Sequence, residues 1–292
     1  MTIAIYGRSF SEEHIPHIQQ LFDELAKRKA QLIVFEAFNS FLRPRINVGT
    51  EIKLFTRHSE IKNKAECLIS IGGDGSIMDA VTIVKDSGIP ILGINTGRLG
   101  FLSNISLEQI STAIENLFEK EYRIEKRALL RVETSNNIFG STNFALNELT
   151  IHRKDSGSMI TIHAQVEDHY LNSYWADGII IATPTGSTAY SLSAGGPIVE
   201  PGSNNFVITP IAPHNLNVRP MIISDDNIIR LKVEGRSKHF LATLDSRSFN
   251  VDSQDELIIR KADFKIKLIK LQGQNFYETI RNKLMWGIDK RN

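Results

Sequence analysis

The chain has 292 residues, with Lys plus Arg at 34, Asp plus Glu at 33 and a net charge of +1. So even a balance argues against a dedicated nucleic-acid binder, which carries a basic excess. The single cysteine, Cys67, excludes an internal disulfide and any cysteine-rich metal spacing.

The opening MTIAIYGRSF has no basic region followed by an apolar run and a cleavage site, and no apolar run in the chain approaches the ~20 residues of a bilayer span. A cytoplasmic protein with no membrane partner is expected. TIAIYG reads as a first strand ending in glycine. Ser11 is placed to cap a helix in which Ile15, Ile18, Leu21, Phe22 and Leu25 share one face. AQLIVFEAF and AECLISIGG read as buried strands, GSIMDAVTIVKDSG as a helix stopped at Gly88, and IPILGINTG as a further strand. Alternating β and α at this spacing predicts a Rossmann-like parallel sheet with helices on its faces. After a helix near Leu107 to Lys120 the helical period fades. ALLRVET, NFALNELTIHR, MITIHAQVED, GIIIATPTG, FVITPIAPH, NIIRLKVEG, HFLATLDS and FKIKLIKL read as strands parted by turn residues, a pattern for an all-β sandwich-like domain. NFYETIRNKLMWG returns to helix, with Ile280, Leu284 and Met285 on one side. The expected organisation is an α/β domain over 1–124, a β-rich domain over 125–274, and a C-terminal helix over 275–292 packing back on the first domain.

The chemistry-bearing stretch of the first part is Gly72-Gly73-Asp74-Gly75. Loops after the carboxyl ends of parallel strands form the ligand crevice. Glycines there let backbone N–H groups approach an anion, and the following helix adds its positive end. An acid in that place reads as a metal ligand, a general base or an acceptor for a hydroxyl. The same four letters also describe a tight turn with Asp74 as helix N-cap. Neither GxxxxGK[ST] nor GxGxxG occurs, and without the latter Glu36, at the end of the second strand, reads as a surface residue rather than a ribose ligand.

The second such stretch is ADGIIIATPTGSTAYSLSAGGPI, from Ala176 to Ile198, where small residues and hydroxyls gather after a buried strand. Tyr190 offers an aromatic face suited to a purine. Asn147-Glu148 places a polar pair in an apolar strand, which is costly to bury without partners. A ribose would supply them; a water-facing edge strand would need none. Cys67 in its apolar run reads as a core residue, and His214 as structural.

Taken together, GGDGS, GINTGRLGFL, LNE, ADGIIIATPTGSTAYSLSAGGPI and ITPIAPHNLNVRP resemble the bacterial NAD kinases in order and spacing, over residues 66 to 220 or so. The glycine-acid loop alone is shared with lipid kinases; its combination with TPTGSTAY is specific. The resemblance implies an α/β domain followed by a β-sandwich-like domain, with the dinucleotide site between them. It implies transfer of the γ-phosphoryl of ATP to the 2′-hydroxyl of the adenosine ribose of NAD, with Mg²⁺ or another divalent ion held chiefly through the phosphates and Asp74 as a candidate protein ligand. Asp74 would hold and deprotonate the hydroxyl, and Gly73 and Gly75 would admit the donor phosphates. Asn147 and Glu148 would bind adenosine and ribose groups, Asp177 and Ala212 would lie along the nicotinamide half, and Thr188, Ala189, Tyr190, Ser191, Leu192 and Ser193 would line the adenine side. Several positions depart from the family pattern: Ser76 replaces the usual Thr and keeps the hydroxyl, Ser158 stands where His is frequent, Trp175 where many relatives have Arg, and Asp245-Ser246-Arg247 where a DGQ-like turn is common. Trp175 or Arg247 would then compensate by stacking or charge. A homodimer or homotetramer is also implied. The competing expectations are a lipid kinase built on the same glycine loop and a dinucleotide sensor without activity.

Overall fold

The computed structural model describes residues 1–49, 51–97, 100–154 and 158–286. In chain order the first elements are β1 (Thr2–Gly7), α1 (Ile15–Lys27), β2 (Gln31–Phe35), α2 (Glu36–Leu42), β3 (Ile52–Phe55), α3 (His58–Ile61), β4 (Cys67–Ile71), α4 (Asp74–Val84), β5 (Ile91–Ile94), α5 (Ile110–Glu119) and β6 (Tyr122–Arg127). There follow β7 (Leu130–Glu133), β8 (Phe144–Ala145), β9 (Glu148–His152), β10 (Ile160–Val166), β11 (His169–Ala176), β12 (Gly178–Ala182), α6 (Tyr190–Ser193), β13 (Asn205–Ile211), β14 (Met221–Ser224), β15 (Ile229–Glu234), β16 (His239–Leu244), β17 (Arg247–Asp252) and β18 (Leu257–Lys261). The chain ends with β19 (Ile266–Leu271) and α7 (Phe276–Leu284). These elements form two units, one of Met1–Lys126 with Ile266–Asn292, the other of Arg127–Lys265.

The first unit is built on a seven-stranded sheet in the order β3-β2-β1-β4-β5-β19-β6. From β3 to β19 every pairing is parallel. Strands covered on both faces need continuous apolar runs, and β4, CLISI, is buried along its whole length. Helix α1 presents Ile18, Leu21, Phe22 and Leu25 to this core, each 0% exposed. Burial of such side chains contributes about 1.5–3 kcal/mol apiece. Strand order reverses between β1 and β4, so the loops leaving those two strands flank the crevice where open α/β sheets bind ligands.

The second unit holds two six-stranded sheets, β11-β10-β15-β18-β7-β8 and β14-β13-β12-β9-β16-β17. Their pairings are antiparallel, and Val132, Ile162, Leu231 and Leu257 from one sheet share a core with Leu149, Ile179, Phe206 and Phe240 from the other, which makes a sandwich. Strand β12 is buried along its length because its outer face, Ile180 and Ala182, is covered by Val199. The Thr183–Val199 segment is thereby laid over that face.

Several elements differ from the sequence expectation. The EAF of AQLIVFEAF leaves the strand, because Glu36 opens α2, which turns Phe38 and Leu42 into the core. Ser11 caps a short 3-10 turn, Glu12–His14, that precedes α1, and makes no side-chain cap bond. FKIKLIKL does not stay with the β-rich part: β19 lies between β5 and β6 in the first sheet, pairing Leu268 with Ile91. Met285 lies beyond α7 at 63% exposure, whereas Ile280 is buried. Cys67 is a buried core residue whose thiol is pushed up to about 12 by burial, which leaves it inert. Among the described residues no helix is long and apolar enough to cross a membrane.

Candidate active site

In the first unit the chain leaves β4 through Gly72, whose φ of +137° is reserved for glycine; a Cβ there would stand 2.1 Å from Ser76 Oγ. Gly73 is the N-cap residue of α4, and Asp74 opens the helix. Asp74 does not cap its own helix. Its carboxylate turns to the segment that follows β5 and accepts three backbone N–H groups: Phe101 on Oδ2 at 2.8 Å, and Leu102 and Ser103 on Oδ1 at 3.1 and 2.9 Å. Gly100 makes this approach possible, since a Cβ there would sit 1.7 Å from Asp74 Oδ1. Further bonds tie the segment down. Ser103 Oγ donates to Gly72 O at 3.1 Å, Asn95 Nδ2 donates to Ser103 O at 3.1 Å, and Asn95 N donates to Ile105 O at 2.7 Å. Residues 98 and 99 of the GINTGRLGFL motif lie outside the described residues.

Arg8, just past β1, stands beside the glycine loop. Its guanidinium pairs with Asp79 of α4 at 2.6 Å, and Tyr6 donates its hydroxyl to the same carboxylate oxygen at 2.7 Å. The Tyr6 hydroxyl is pushed up to about 12 by burial and by Asp79. Arg8 Nη1 is 3.8 Å from where a Cβ on Gly75 would be, so a fixed cation faces the open, side-chain-free turn. The sequence offers Arg8 no motif.

In the second unit the site residues fall into two groups. The first gathers at the carboxyl end of β12. Glu148 pairs with Ala182 across β9 and β12 and is buried, and its carboxyl accepts the backbone N–H of Tyr190. Burial, then the neighbouring Asp245, push the Glu148 carboxyl up to about 8. Its Oε2 has no hydrogen-bond partner among the described residues. Asp245, in the turn between β16 and β17, is 3% exposed at its side chain and accepts the N–H groups of Leu146, Asn147 and Glu148 at 2.9, 2.7 and 3.3 Å. Asn147 thus precedes β9 and is held from its backbone. Burial raises the Asp245 carboxyl, opposed by these amides and by Arg247. Arg247 donates to the carbonyls of Thr142 and Phe144 and lies over the Phe144 ring, so the guanidinium braces the chain before β9.

The TPTGSTAY segment closes over this group. Thr183 Oγ1 donates to Leu146 O at 2.5 Å, and Gly186 packs so tightly on Asn147 that a Cβ would lie 2.1 Å from its carbonyl oxygen. Ser187 Oγ bonds the backbone of Pro184 and Val199, and Ser191 Oγ is buried against Thr209 Oγ1 at 2.9 Å. These hydroxyls are structural, and Ser191 turns its side chain inward. Thr188, Ala189, Leu192 and Ser193 are partly exposed or exposed, and Tyr190 presents its ring at 42% exposure.

The second group lies at the opposite end of β12. Asp177 pairs with Arg153 Nε at 2.8 Å and donates its backbone N–H to Ile211 O at 3.0 Å, which brings it beside Ala212. Ala212 has a φ of +44°, a strained position for a residue with a side chain. Trp175 is 46% exposed and packs on His214 at 4.3 Å between ring centroids. Ser158 is half-buried beside residues 155–157, which lie outside the description. The five residues of β12 separate this group from Glu148 and Tyr190 by about 16 Å at ordinary strand rise. The second unit therefore does not bring Asp177, Ala212, Trp175 and Ser158 together with Asn147, Glu148 and the Thr188–Ser193 run. Among the described residues no group of three or more His, Cys, Asp or Glu side chains could hold a metal.

A carboxylate presented at a strand's end, beside amides and a cation suited to phosphate, is the equipment for moving a phosphoryl group onto an alcohol, and this fold and loop define a two-domain small-molecule kinase. Residues 7–122 match the ATP-NAD kinase N-terminal domain and residues 146–271 the ATP-NAD kinase C-terminal domain. The chain is 48% identical to an NAD kinase of Flavobacterium psychrophilum and 44% identical to one of Cytophaga hutchinsonii, each alignment covering 100% of both chains. Its fold is shared with an NAD kinase from Archaeoglobus fulgidus solved in complex with ATP, at a TM-score of 0.76 and 26% identity over 98% of this chain and 99% of that one. It is also shared with yeast NADH kinase complexed with NADH, at 0.88 and 23% over 99% and 89%. The chain belongs to the NAD kinase family, and its activity is the ATP-dependent phosphorylation of NAD to NADP.

Proposed function

We propose that the reaction is in-line transfer of the γ-phosphoryl of ATP to the 2′-hydroxyl of the adenosine ribose of NAD, with Asp74 as the group that holds and deprotonates the hydroxyl. The observation that carries this is the cradle of Asp74. A carboxylate has about four lone-pair sites; two on Oδ1 and one on Oδ2 are taken by amides, so one site on Oδ2 remains for a hydroxyl donor. As the O2′–P bond forms, the hydroxyl proton passes to that oxygen, the bond from the γ-phosphorus to its bridging oxygen breaks, and ADP leaves. Positioning and charge neutralisation supply most of the rate in such transfers. Arg8 and the amides of Gly73 and Gly75 are suited to the donor phosphates, and Mg²⁺ enters with the donor as Mg·ATP.

Asn147, Glu148 and the Thr188–Ser193 run are proposed for the adenosine half of NAD. The unpaired Glu148 Oε2 supports this, because a buried polar atom without a partner is costly until a ligand supplies one. Asp177, Ala212, Trp175 and Ser158 are proposed for the nicotinamide side, and Arg247 acts by bracing Asn147 rather than by touching the dinucleotide. We further propose a homodimer or homotetramer in the cytoplasm, without nucleic-acid or membrane partners. Exposed Tyr170, Met221 and Ile222 on the outer strands β11 and β14 support self-association. The test is NADP formation from NAD, ATP and Mg²⁺ by the Asp74→Asn variant. Loss of turnover by about 10²–10⁴-fold is expected with NAD binding retained; near-normal turnover would remove Asp74 from the base role.

A further inference from the structure

We propose that Lys270 is a positioning residue for phosphoryl transfer, acting on Asp74 through the peptide group that joins Leu102 and Ser103; this rests on the role proposed above for Asp74. Lys270 lies on β19, 168 residues beyond Leu102, and is only 4% exposed. A buried ammonium is costly unless its protons are used. Its Nζ donates to the carbonyl oxygen of Leu102 at 3.3 Å. That carbonyl and the N–H of Ser103 belong to one amide, and the Ser103 N–H donates to Asp74 Oδ1 at 2.9 Å. The run from ammonium to carbonyl, through the amide and on to the carboxylate, is a hydrogen-bonded chain in which each bond polarises the next. A cation on the carbonyl side makes the N–H a better donor to the anion on the other.

The grip is reinforced one residue further on. Gln274, in the turn after β19, donates Nε2 to Asn104 O at 3.3 Å, and its own carbonyl oxygen accepts from Arg123 Nη2 at 2.7 Å. Strand β19 and its turn therefore hold two carbonyls, those of Leu102 and Asn104, of the segment whose amides hold Asp74. The cradle is shaped from behind by a strand that joins the sheet only at the end of the chain. In this arrangement Lys270 touches no reacting atom. It determines where the Asp74 carboxylate points and how firmly it stays there.

The test uses the full chain and three variants, Lys270→Met, Lys270→Arg and Asp74→Ala, with steady-state NADP formation and amide hydrogen exchange at Phe101 to Ser103. Lys270→Met is expected to lower kcat about tenfold or more, since small misplacements of a catalytic group are expensive, while KM for NAD and for ATP stays within about twofold. Lys270→Arg is expected to restore much of kcat. The Ser103 amide is expected to lose protection in both Lys270→Met and Asp74→Ala, because each removes one end of the same chain. Should Lys270→Met fail to fold, Lys270→Gln replaces it, keeping a donor without the charge. A kcat in Lys270→Met within about twofold of the parent, or unchanged protection at Ser103, overturns the proposal. An Asp74→Ala variant that makes NADP at the parent's rate would instead overturn the role proposed for Asp74, with the exchange measurement still deciding whether Lys270 holds the cradle.

Discussion

Asp74 and Asp245 solve one problem in the same way. Each carboxylate is tied by three consecutive backbone amides of a distant segment, so its direction is set by main chain rather than by a rotamer. Gly100→Ala tests the first cradle, because the new Cβ would stand 1.7 Å from Asp74 Oδ1 and must push the carboxylate or the loop away. A fall in kcat of about 10²-fold is expected from a displacement near 1 Å, with the unfolding temperature little changed; full activity would show the cradle to be dispensable. Glu148 makes a different prediction. Its folded value of about 8 lies above the ordinary 4.5, so the folded protein keeps a proton that the unfolded chain releases. That contribution to stability is complete below about pH 4.5 and is lost as the pH rises to about 8, at up to about 1.4 kcal/mol per pH unit. Glu148→Gln, which has no proton to lose, is expected to gain stability over the parent progressively across that window in urea titrations at several pH values. Parallel pH profiles would show that Glu148 is ionised in the fold. The GGDG and LNE stretches are visible in the chain, as an acid among turn glycines and a polar pair in an apolar strand. Arg8 and Lys270 are not visible, because neither stands in a pattern, and Gly100, though it lies within GINTGRLGFL, shows its use only through the distant Asp74 carboxylate.

Strand β19 is the element on which the first unit depends most. It carries Leu268, Ile269 and Leu271 into the core, each nearly unexposed, and fills the place between β5 and β6. A chain ending after Lys265 would leave two strand edges unpaired and an apolar slot open. It is expected to lose several kcal/mol, since each large core side chain removed costs about 2–5 kcal/mol, whereas ending after Gln274 keeps the sheet and costs far less. Denaturant unfolding of the two truncations checks this; equal stability would mean that β19 adds nothing to the sheet. Strand periodicity identified FKIKLIKL as a strand but not its sheet. Period 2 tells which residues face a core, not which core. Weak or short alternation hid β3, β6, β11, β14, β17 and β18, and Glu36 looked like the end of a strand when it begins α2. Helix α1 was legible because four apolar residues at helical spacing can have one use.

At the scale of the molecule, the second unit is one unbroken segment, Arg127–Lys265, and the first is assembled from both ends of the chain. Residues 127–265 expressed alone are therefore expected to fold as a sandwich with cooperative unfolding, since their core draws on no residue outside that range. Residues 1–126 alone lack β19 and are expected not to. Circular dichroism and thermal melts of the two fragments decide it, and a stable 1–126 fragment would contradict the account of β19. The order of motifs along the chain was enough to identify the family, the phosphotransfer chemistry and the two-part architecture, because glycine loops, apolar periods and turn residues are local properties. Tertiary structure alone decided that Asp74 is gripped by residues 101–103, that the Glu148 carboxyl lies near that of Asp245 with an Oε2 that has no partner among the described residues, and that the ends of β12 hold separate groups. These facts depend on which distant segments the two cores bring together. A hydrogen bond between residues far apart in sequence leaves no trace in the spacing of either one.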